Sequence, residues 1–244
     1  MQDSNVSSQK PGRLFSWEQR LKDLWVPEPG KIVMDLTDEW FLARRGRITA
    51  SSRANILLND DKKKWNEALI GVTEELDPDY EKGEDKGNKY MKWGRDHEDE
   101  ALANLELKLG VELHHPGFLL SPNSPFIGGT PDGVTADRKV SVQIKCPYFS
   151  RNHLKFFYDR TLTPQYYTQV QVEAAVLGAE RIIFASYDPR QPLSARVADI
   201  EVKVSSEIID KLYSRVVDFA DMLETGRLYG VGKLGVQSGI PELF

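Results

Sequence analysis

The alternation of apolar and polar positions divides the chain into segments of helical and of extended character. Trp17, Leu21 and Leu24 recur at helical spacing, and Ser16 and Gln19 give the pattern of a capping box. Further helices are predicted in EWFLARR from about Asp38, at the end of GRITASSRANILL, and in KKKWNEALIGVTEEL, KWGRDHEDEALANLELKLG, TPQYYTQVQVEAAVLG and SEIIDKLYSRVVDFADMLETG. Strands are predicted at 111–120, 124–129 and 139–146, and in RIIFASY and ARVADIEVKV.

This order of elements predicts a fold of the α/β or α+β class, because helices come first, then a cluster of strands, then helix, strands and helix. We expect a central mixed β-sheet flanked by helices. Residues 1–13 are polar and contain Pro and Gly, which predicts a flexible N-terminal tail. Residues 14–244 are long enough for one domain with a sizeable core, and a single domain is expected.

The composition of the chain limits the cellular compartment and the kinds of binding site that we expect. The single cysteine, Cys146, excludes an intramolecular disulfide and a cysteine-based zinc site, which fits a reducing cytoplasm. No apolar run approaches 18 residues and the N-terminus lacks a signal-peptide core, so we expect no membrane segment. The formal charge of −5 predicts that any nucleic-acid contact is a local basic groove on an acidic body.

Candidate chemistry lies around the strand 139–146. Its period-2 alternation directs Gln143 and Lys145 to the same face. Asp132, in a Pro-Asp-Gly turn before this strand, either supports the turn or places a carboxylate beside that face. Glu98 either heads the apolar stripe of its helix, pointing to the core, or is a first-turn acid favoured by the helix dipole. Two carboxylates with a third oxygen ligand suit Mg²⁺, and Lys145 would stabilise charge on a phosphate or help to deprotonate a water.

Six blocks carry a family resemblance: RRGRITAS, MKWGRDHEDEA, TPDG, QIKCPYFSR, YYTQVQ and YDPR, which span about residues 40–190. In this order they resemble the PD-(D/E)XK nuclease superfamily and, within it, the lambda-exonuclease and YqaJ-like alkaline exonuclease family. The resemblance implies a restriction-endonuclease-like core. It also implies a Mg²⁺-dependent 5′→3′ exonuclease on linear double-stranded DNA that gives mononucleotides and 3′ overhangs for single-strand-annealing recombination.

The resemblance further assigns site residues. The catalytic positions that it implies are Asp132, Gln143, Lys145 and Glu98. Its metal ligands, for one or two Mg²⁺ ions (or Mn²⁺), are Asp132, Gln143, Glu98 and the Ile144 carbonyl. A 5′-phosphate site is implied at Arg44, Ser51, Thr130 and Gln169. Partners implied are double-stranded DNA ends, a single-strand annealing protein and two further copies in a homotrimer, in the cytoplasm of a bacterial host of a phage or prophage.

Other basic residues are candidates for DNA contact, and for each of them an ordinary solvent-exposed role is the alternative. Arg45, Arg47, Arg151 and Lys155 are candidates for backbone contact or for a solvated basic face. Ser51 is also a candidate cap for the helix that follows it. His97, His114 and His115 are interpreted as structural or exposed, and Glu173 either orients Gln169 or a basic neighbour; the sequence leaves that open.

Position 143 departs from the family pattern, which has Glu there. One hypothesis is an engineered Glu→Gln replacement that impairs turnover, and the alternative is a natural variant that retains activity. Two other functions remain open: a structure-selective endonuclease or resolvase of the same superfamily, and a non-catalytic DNA-end-binding module with a decayed site.

Overall fold

The computed structural model describes residues 16–28, 31–81 and 88–230. The predicted tail 1–13 lies outside these ranges. The helices are α1 Trp17–Leu24, α2 Asp38–Arg44, α3 Arg53–Leu58, α4 Lys62–Glu75, α5 Lys89–Asp96, α6 Glu98–Leu109, α7 Ser150–Asp159, α8 Pro164–Leu177, α9 Leu193–Arg196 and α10 Ser206–Thr225. The strands are β1 Ile48–Thr49, β2 Leu119–Ser121, β3 Ser124–Gly129, β4 Gly133–Val134, β5 Val140–Lys145, β6 Arg181–Tyr187 and β7 Val197–Val202.

The predicted α+β class is confirmed, and the strands form two mixed sheets rather than one. The first sheet has the order β1-β3-β2, with β1 parallel and β2 antiparallel to β3. The second has the order β4-β5-β6-β7, with β5 and β6 parallel and the outer pairs antiparallel. In this register Gln143 lies beside Phe184, and Lys145 beside Ser186.

Helix α8 joins the two sheets. It contacts β2 and β3 of the first sheet and β5 and β6 of the second. Its residues from Thr168 to Ala174 are all buried, which is the pattern of a helix covered on every side. Pro164 lies in its first turn, and Gly178, at φ 75°, ends it in the left-handed conformation. Polar side chains of α8 are therefore held inside the protein, next to β5.

The larger apolar cluster lies on the other side of α8. It includes Trp17, Trp65 and Phe219, which join α1, α4 and α10. The Trp17 ring stacks on Phe126 with centroids 4.2 Å apart, and its Nε1 donates to the Gly46 carbonyl at 2.9 Å. This packing fixes the segment from α2 to β1 against β3.

Several boundaries differ from the prediction. The helix expected to run to Gly110 is interrupted at His97, whose φ of −118° and ψ of 2° separate α5 from α6. The strand expected at 111–120 is reduced to β2, because Gly117 has φ 67° and turns the chain away from an extended path. Before it, only His114 pairs with a strand residue, as an isolated bridge to Val134.

The N-terminal cap predicted from the sequence is found at α1 and not at α3. Ser16 caps α1 by accepting from the Gln19 backbone N–H at 3.3 Å, as predicted, but the Gln19 side chain donates to Asp23 at 2.8 Å, so only half of the expected capping box is seen. The cap position of α3 is Ser52, not Ser51, and its side chain makes no capping hydrogen bond. Segment 150–159, which the sequence suggested only as a basic surface, is helix α7. Among the described helices, none combines the length and the apolar character needed to cross a bilayer.

Candidate active site

The Pro-Asp-Gly turn is tied directly to β5. The Asp132 backbone N–H donates to the Val142 carbonyl at 3.0 Å, which continues the antiparallel pairing of β4 with β5. The Asp132 carboxylate accepts from the Ile144 backbone N–H at 2.6 Å and from the Gln143 side-chain amide. Asp132 therefore reaches the strand eleven and twelve residues ahead, a contact that turn support alone would not need.

Gln143 and Lys145 have different surroundings on their shared face. The Gln143 side chain is 2% exposed. Lys145 is partly exposed at the end of the strand, with its Nζ 5.5 Å from the ring centroid of Tyr166 on α8. The strand thus holds an amide inside the protein and an ammonium near the surface.

Glu98 brings a second carboxylate to this region. It is the first residue of α6 and lines a pocket of about 190 Å³ together with Asp132. Burial raises the pKa of Glu98 to about 8, and repulsion from Asp132 and Asp35 adds to the shift against the attraction of Lys145. Burial likewise raises the pKa of Asp132, with Lys145 opposing. The pocket therefore brings together carboxyl groups whose charged forms are disfavoured unless a further positive charge joins them.

Such a pocket suits a hard divalent cation. In the part of the chain that the structure describes, no three His, Cys, Asp or Glu side chains form a metal-binding group by themselves. Mg²⁺ does not need three, because it is held by one or two carboxylates while waters and substrate phosphates complete its shell. Asp132 and Glu98 fit this requirement, and the Gln143 side chain contacts Asp132 and donates to the Ile144 carbonyl at 3.4 Å.

Gln143 fits least well. Its Nε2 faces the Asp132 carboxylate, and its Oε1 accepts from Gln169 Nε2 at 2.9 Å. An ionised carboxylate only accepts hydrogen bonds, so the atom turned toward Asp132 is a donor and not a metal ligand. A glutamate at position 143 would instead present an oxygen there.

The same Gln169 amide extends the network to a third carboxylate. Gln169 Nε2 also donates to Glu173 Oε1 at 2.8 Å, one helical turn along α8. Glu173 is 1% exposed, and burial raises its pKa well above the usual range, with repulsion from Asp132 adding to the shift. Of the two readings that the sequence left open for Glu173, the contact with Gln169 is the one seen.

The four residues assigned to a 5′-phosphate are partly brought together. Arg44 Nη2 donates to Ser51 Oγ at 3.3 Å, and the Arg44 guanidinium carbon lies 4.2 Å from the Trp40 ring centroid. Trp40 Nε1 in turn donates to Thr130 Oγ1 at 3.4 Å. Gln169 is buried, and its side-chain amide donates to Gln143 and Glu173 rather than to this group, while the Arg44 charge acts on Glu173.

The basic residues assigned to DNA separate into three cases. Arg151 and Lys155 are exposed on α7. Arg45 lines a cleft of about 890 Å³, but its guanidinium already donates to the Glu75 and Asp77 carbonyls. Arg47 does not fit the prediction, because it is 2% exposed and donates to the Ala43 and Pro125 carbonyls at 2.8 and 3.1 Å.

Some residues of the site carried no sequence signal of their own. Asp35, from the loop before α2, and His115, from the loop after α6, line the same pocket as Glu98. Asp35 lies outside every predicted helix and strand, so periodicity could not have found it. His115 lies within the predicted strand 111–120 and was interpreted as structural or exposed, whereas the structure places it in the pocket lining. His97 is structural, as interpreted, since its Nδ1 lies 2.8 Å from the Trp93 carbonyl oxygen.

Comparison with known proteins shows the family of the chain. Residues 39–180, more than half of the chain, match the YqaJ-like viral recombinase domain. The chain belongs to this family. No curated protein matches the chain significantly.

Solved structures are similar in fold to this YqaJ-like chain. The alkaline exonuclease LHK-Exo of Laribacter hongkongensis is 25% identical, with 78% of this chain and 94% of that chain covered and a TM-score of 0.70. The same protein in complex with dAMP gives the same values. A phage-related exonuclease from Haemophilus somnus 129PT is 17% identical, covers 73% of this chain and 94% of its own, and has a TM-score of 0.60, a likeness of fold. The predicted family and its PD-(D/E)XK core are confirmed.

Proposed function

We propose that this YqaJ-like chain is a Mg²⁺-dependent 5′→3′ exonuclease acting on the ends of linear double-stranded DNA. The observation that carries the proposal is the Asp132 carboxylate, which is bonded to β5 at Ile144 and shares an acidic pocket with Glu98. The products are mononucleotides and 3′ single-stranded overhangs that serve annealing-based recombination of the phage type. The dAMP complex of LHK-Exo contains a mononucleotide, the class of product expected here.

Asp132, Glu98, the Ile144 carbonyl and the side chain of residue 143 would hold one or two Mg²⁺ ions, with Mn²⁺ as a substitute. A bound divalent ion would lower the pKa of a water and stabilise the leaving oxygen. Lys145, at the open end of β5, orients the attacking water and balances charge that develops on the phosphate. Lys145 is partly exposed and its charge acts on both Glu98 and Asp132, which supports this role.

The 5′-phosphate would bind at the group formed by Arg44, Ser51 and Thr130, with Gln169 behind it. The Arg44–Ser51 contact and the Trp40–Thr130 contact support this site, because they order a guanidinium and two hydroxyls at one edge. A charged guanidinium binds a phosphate in a fixed geometry, so the site would select phosphorylated ends. Arg151 and Lys155 would contact the DNA backbone, and so would Arg45, although its guanidinium also donates to the Glu75 and Asp77 carbonyls. Arg47 is buried, so no DNA contact is proposed for it.

The assembly and setting follow from the family and are proposed with the activity. We expect a ring-shaped homotrimer around DNA, a single-strand annealing protein as partner, and the cytoplasm of a bacterial host of a phage or prophage. Gln143 would reduce the rate, because its amide nitrogen faces Asp132 where a carboxylate oxygen would bind the metal. The hypothesis of an engineered Glu→Gln replacement and that of a natural variant predict different rates.

The test is a paired digestion of 5′-phosphorylated and 5′-hydroxyl linear duplex, with and without Mg²⁺, by this chain and its Gln143→Glu variant. Asp132→Asn is the inactive control. We expect cleavage only with Mg²⁺, a preference for the phosphorylated end, and a rate at least tenfold higher for Gln143→Glu. Equal rates of the two proteins would show that Gln143 does not impair the enzyme. Cutting of nicked or branched circles in preference to linear ends would replace the exonuclease by a structure-selective endonuclease.

One observation favours a second candidate, a DNA-end-binding module without catalysis. The Gln143 amide donates to Asp132 and so occupies one of the oxygens that a metal would need. In that case Gln143→Glu would restore no cleavage, while a 5′-phosphorylated duplex would still bind to the Arg44 site.

A further inference from the structure

Glu173 is a buried carboxylate that the proposed mechanism does not use. It lies on α8 and is 1% exposed. Its Oε1 accepts from Gln169 Nε2 at 2.8 Å, whereas its Oε2 is buried with no hydrogen-bond partner among the described residues. Burying a carboxylate with so few partners costs free energy unless a charge nearby compensates it. The charged form of Glu173 is therefore disfavoured by burial, and a cation bound nearby would stabilise it.

Hydrogen bonds connect Glu173 to the proposed metal site through Gln169. Gln169 Nε2, which bonds Glu173, also donates to Gln143 Oε1 at 2.9 Å. Asp132, Lys145 and Arg44 all act on the Glu173 carboxylate electrostatically. Glu173 thus lies one hydrogen-bonded residue behind position 143, where this chain has a neutral amide.

The backbone in front of Glu173 is shaped for close approach. A Cβ on Gly129, the last residue of β3, would lie 3.3 Å from Glu173 Cγ and 3.2 Å from the Ala50 Cβ. Only a glycine leaves this space without displacing its neighbours. The aliphatic part of the Glu173 side chain is therefore packed against the segment that continues into Thr130 and Asp132.

We propose that Glu173 supplies the negative charge that position 143 lacks, as a positioning residue that strengthens divalent-metal binding through Gln169 and Gln143. The inference rests on the proposed metal-dependent function and adds a residue to it. Asp132 and Glu98 give two negative charges beside the cation, and a third charge one layer behind them acts through a buried, weakly screened path. The cation would in return favour the charged form of Glu173.

Two other roles for Glu173 make opposite predictions. If Glu173 only holds Gln169 in place for folding, a glutamine at 173 would leave metal affinity unchanged. If Glu173 and Gln169 lock the Gln143 amide with its nitrogen toward the metal, removing the charge would raise metal affinity. The proposed role requires that affinity fall.

The experiment measures Mn²⁺ binding to the full chain without DNA, from the free-ion signal in electron paramagnetic resonance at pH 8. Four proteins are compared: the parent, Glu173→Gln, the double variant Gln143→Glu with Glu173→Gln, and Glu180→Gln as an exposed-carboxylate control. Residues behind the ligands typically change metal affinity by about 10 to 100-fold, so a loss of that size is expected for Glu173→Gln. The double variant returns the charge to β5 and is expected to recover parental affinity or better, and Glu180→Gln to match the parent.

Parental affinity in Glu173→Gln, or a higher one, would overturn the proposal, as would a double variant as weak as the single one. Thermal melting without metal shows which variants fold. Should Glu173→Gln not fold, Glu173→Asp keeps the charge and is expected to lose less than about tenfold in Mn²⁺ affinity. A loss of about tenfold or more there contradicts the charge role. A parent that binds no Mn²⁺ would instead refute the metal-dependent function itself.

Discussion

Asp188 and Arg190 hold the chain that follows Lys145, and their ion pair gives the sharpest stability prediction. Asp188 follows β6, and its buried carboxylate accepts from Arg190 Nε at 2.7 Å and from the Arg190 backbone N–H at 3.0 Å. Arg190 also donates to the Tyr148 and Pro147 carbonyls at 2.8 and 3.2 Å. The pair therefore ties the end of β6 to the segment after β5.

The perturbation is Asp188→Asn. The Asn side chain keeps one acceptor but turns an NH₂ group toward Arg190 Nη2 and Gln191 Nε2, which now donate to Oδ2 at 3.1 and 3.2 Å. Losing two hydrogen bonds to a charged group costs about 1.5 kcal/mol each, so the free energy of unfolding falls by about 3 kcal/mol. For a chain of this size the melting temperature would drop by roughly 6 to 12 °C.

The pH dependence has a definite sign. Burial acts to raise the pKa of Asp188, but hydrogen bonds from Arg190, Ser150 and Gln191 outweigh it and hold the pKa well below its usual range. A depressed carboxyl pKa stabilises the fold above the unfolded value, about 4, and loses that contribution as the pH falls through the folded value. The difference between parent and Asp188→Asn is therefore complete at pH 7 and shrinks below about pH 4.

Urea unfolding at pH 7 and at pH 3.5 measures both effects. The control is Glu201→Gln, which removes the charge of an exposed pair with Arg181 at 2.6 Å and should cost at most about 1 kcal/mol. A loss for Asp188→Asn no larger than that of the control, or a difference that grows as the pH falls, would refute the reasoning.

Further predictions concern packing, thiol chemistry and DNA contact. An added Cβ at Gly128 would overlap the Phe118 ring, so Gly128→Ala should lower the free energy of unfolding by about 1 to 3 kcal/mol. At Gly94 an added Cβ would meet nothing within 4 Å, so Gly94→Ala should raise the free energy of unfolding by about 0.5 to 1 kcal/mol in the same urea titration. Burial and nearby carboxylates raise the pKa of the Cys146 thiol to about 12, so iodoacetamide at pH 8 should modify it roughly a thousandfold more slowly than a free thiol, and fast labelling of the folded protein would contradict this. Lys155→Ala should lower the salt dependence of duplex binding by about one unit of log–log slope in fluorescence anisotropy, and an unchanged slope would remove Lys155 from the DNA surface.

Local sequence patterns predicted much of the scaffold. The Ser16 cap, the long helices α4, α8 and α10, and strand β5 within 139–146 occur as expected, because spacing and capping chemistry act over a few residues. The breaks were harder to place. The turn at Gly117 lies against the Val33 carbonyl, and the His97 carbonyl accepts from the Cys146 thiol at 3.7 Å. Such contacts between distant residues are not contained in a one-dimensional pattern.

By itself, the sequence determined that Gln143 and Lys145 share a face of β5 and that Asp132 lies in the turn before it, since both follow from period-2 alternation and turn chemistry. The ordered family blocks determined the kind of protein to which these residues belong. Tertiary structure alone decided which side chains are neighbours across the fold.

Packing of α8 between the two sheets put Gln169 and Glu173 behind Gln143, and packing of α6 put Glu98 in the pocket of Asp132. Packing also buried Arg47, which the sequence presented as one basic residue among several. The physical reason is range: the direction of a side chain along a strand or helix is fixed by its near neighbours, whereas burial and charge environment are properties of the whole folded chain.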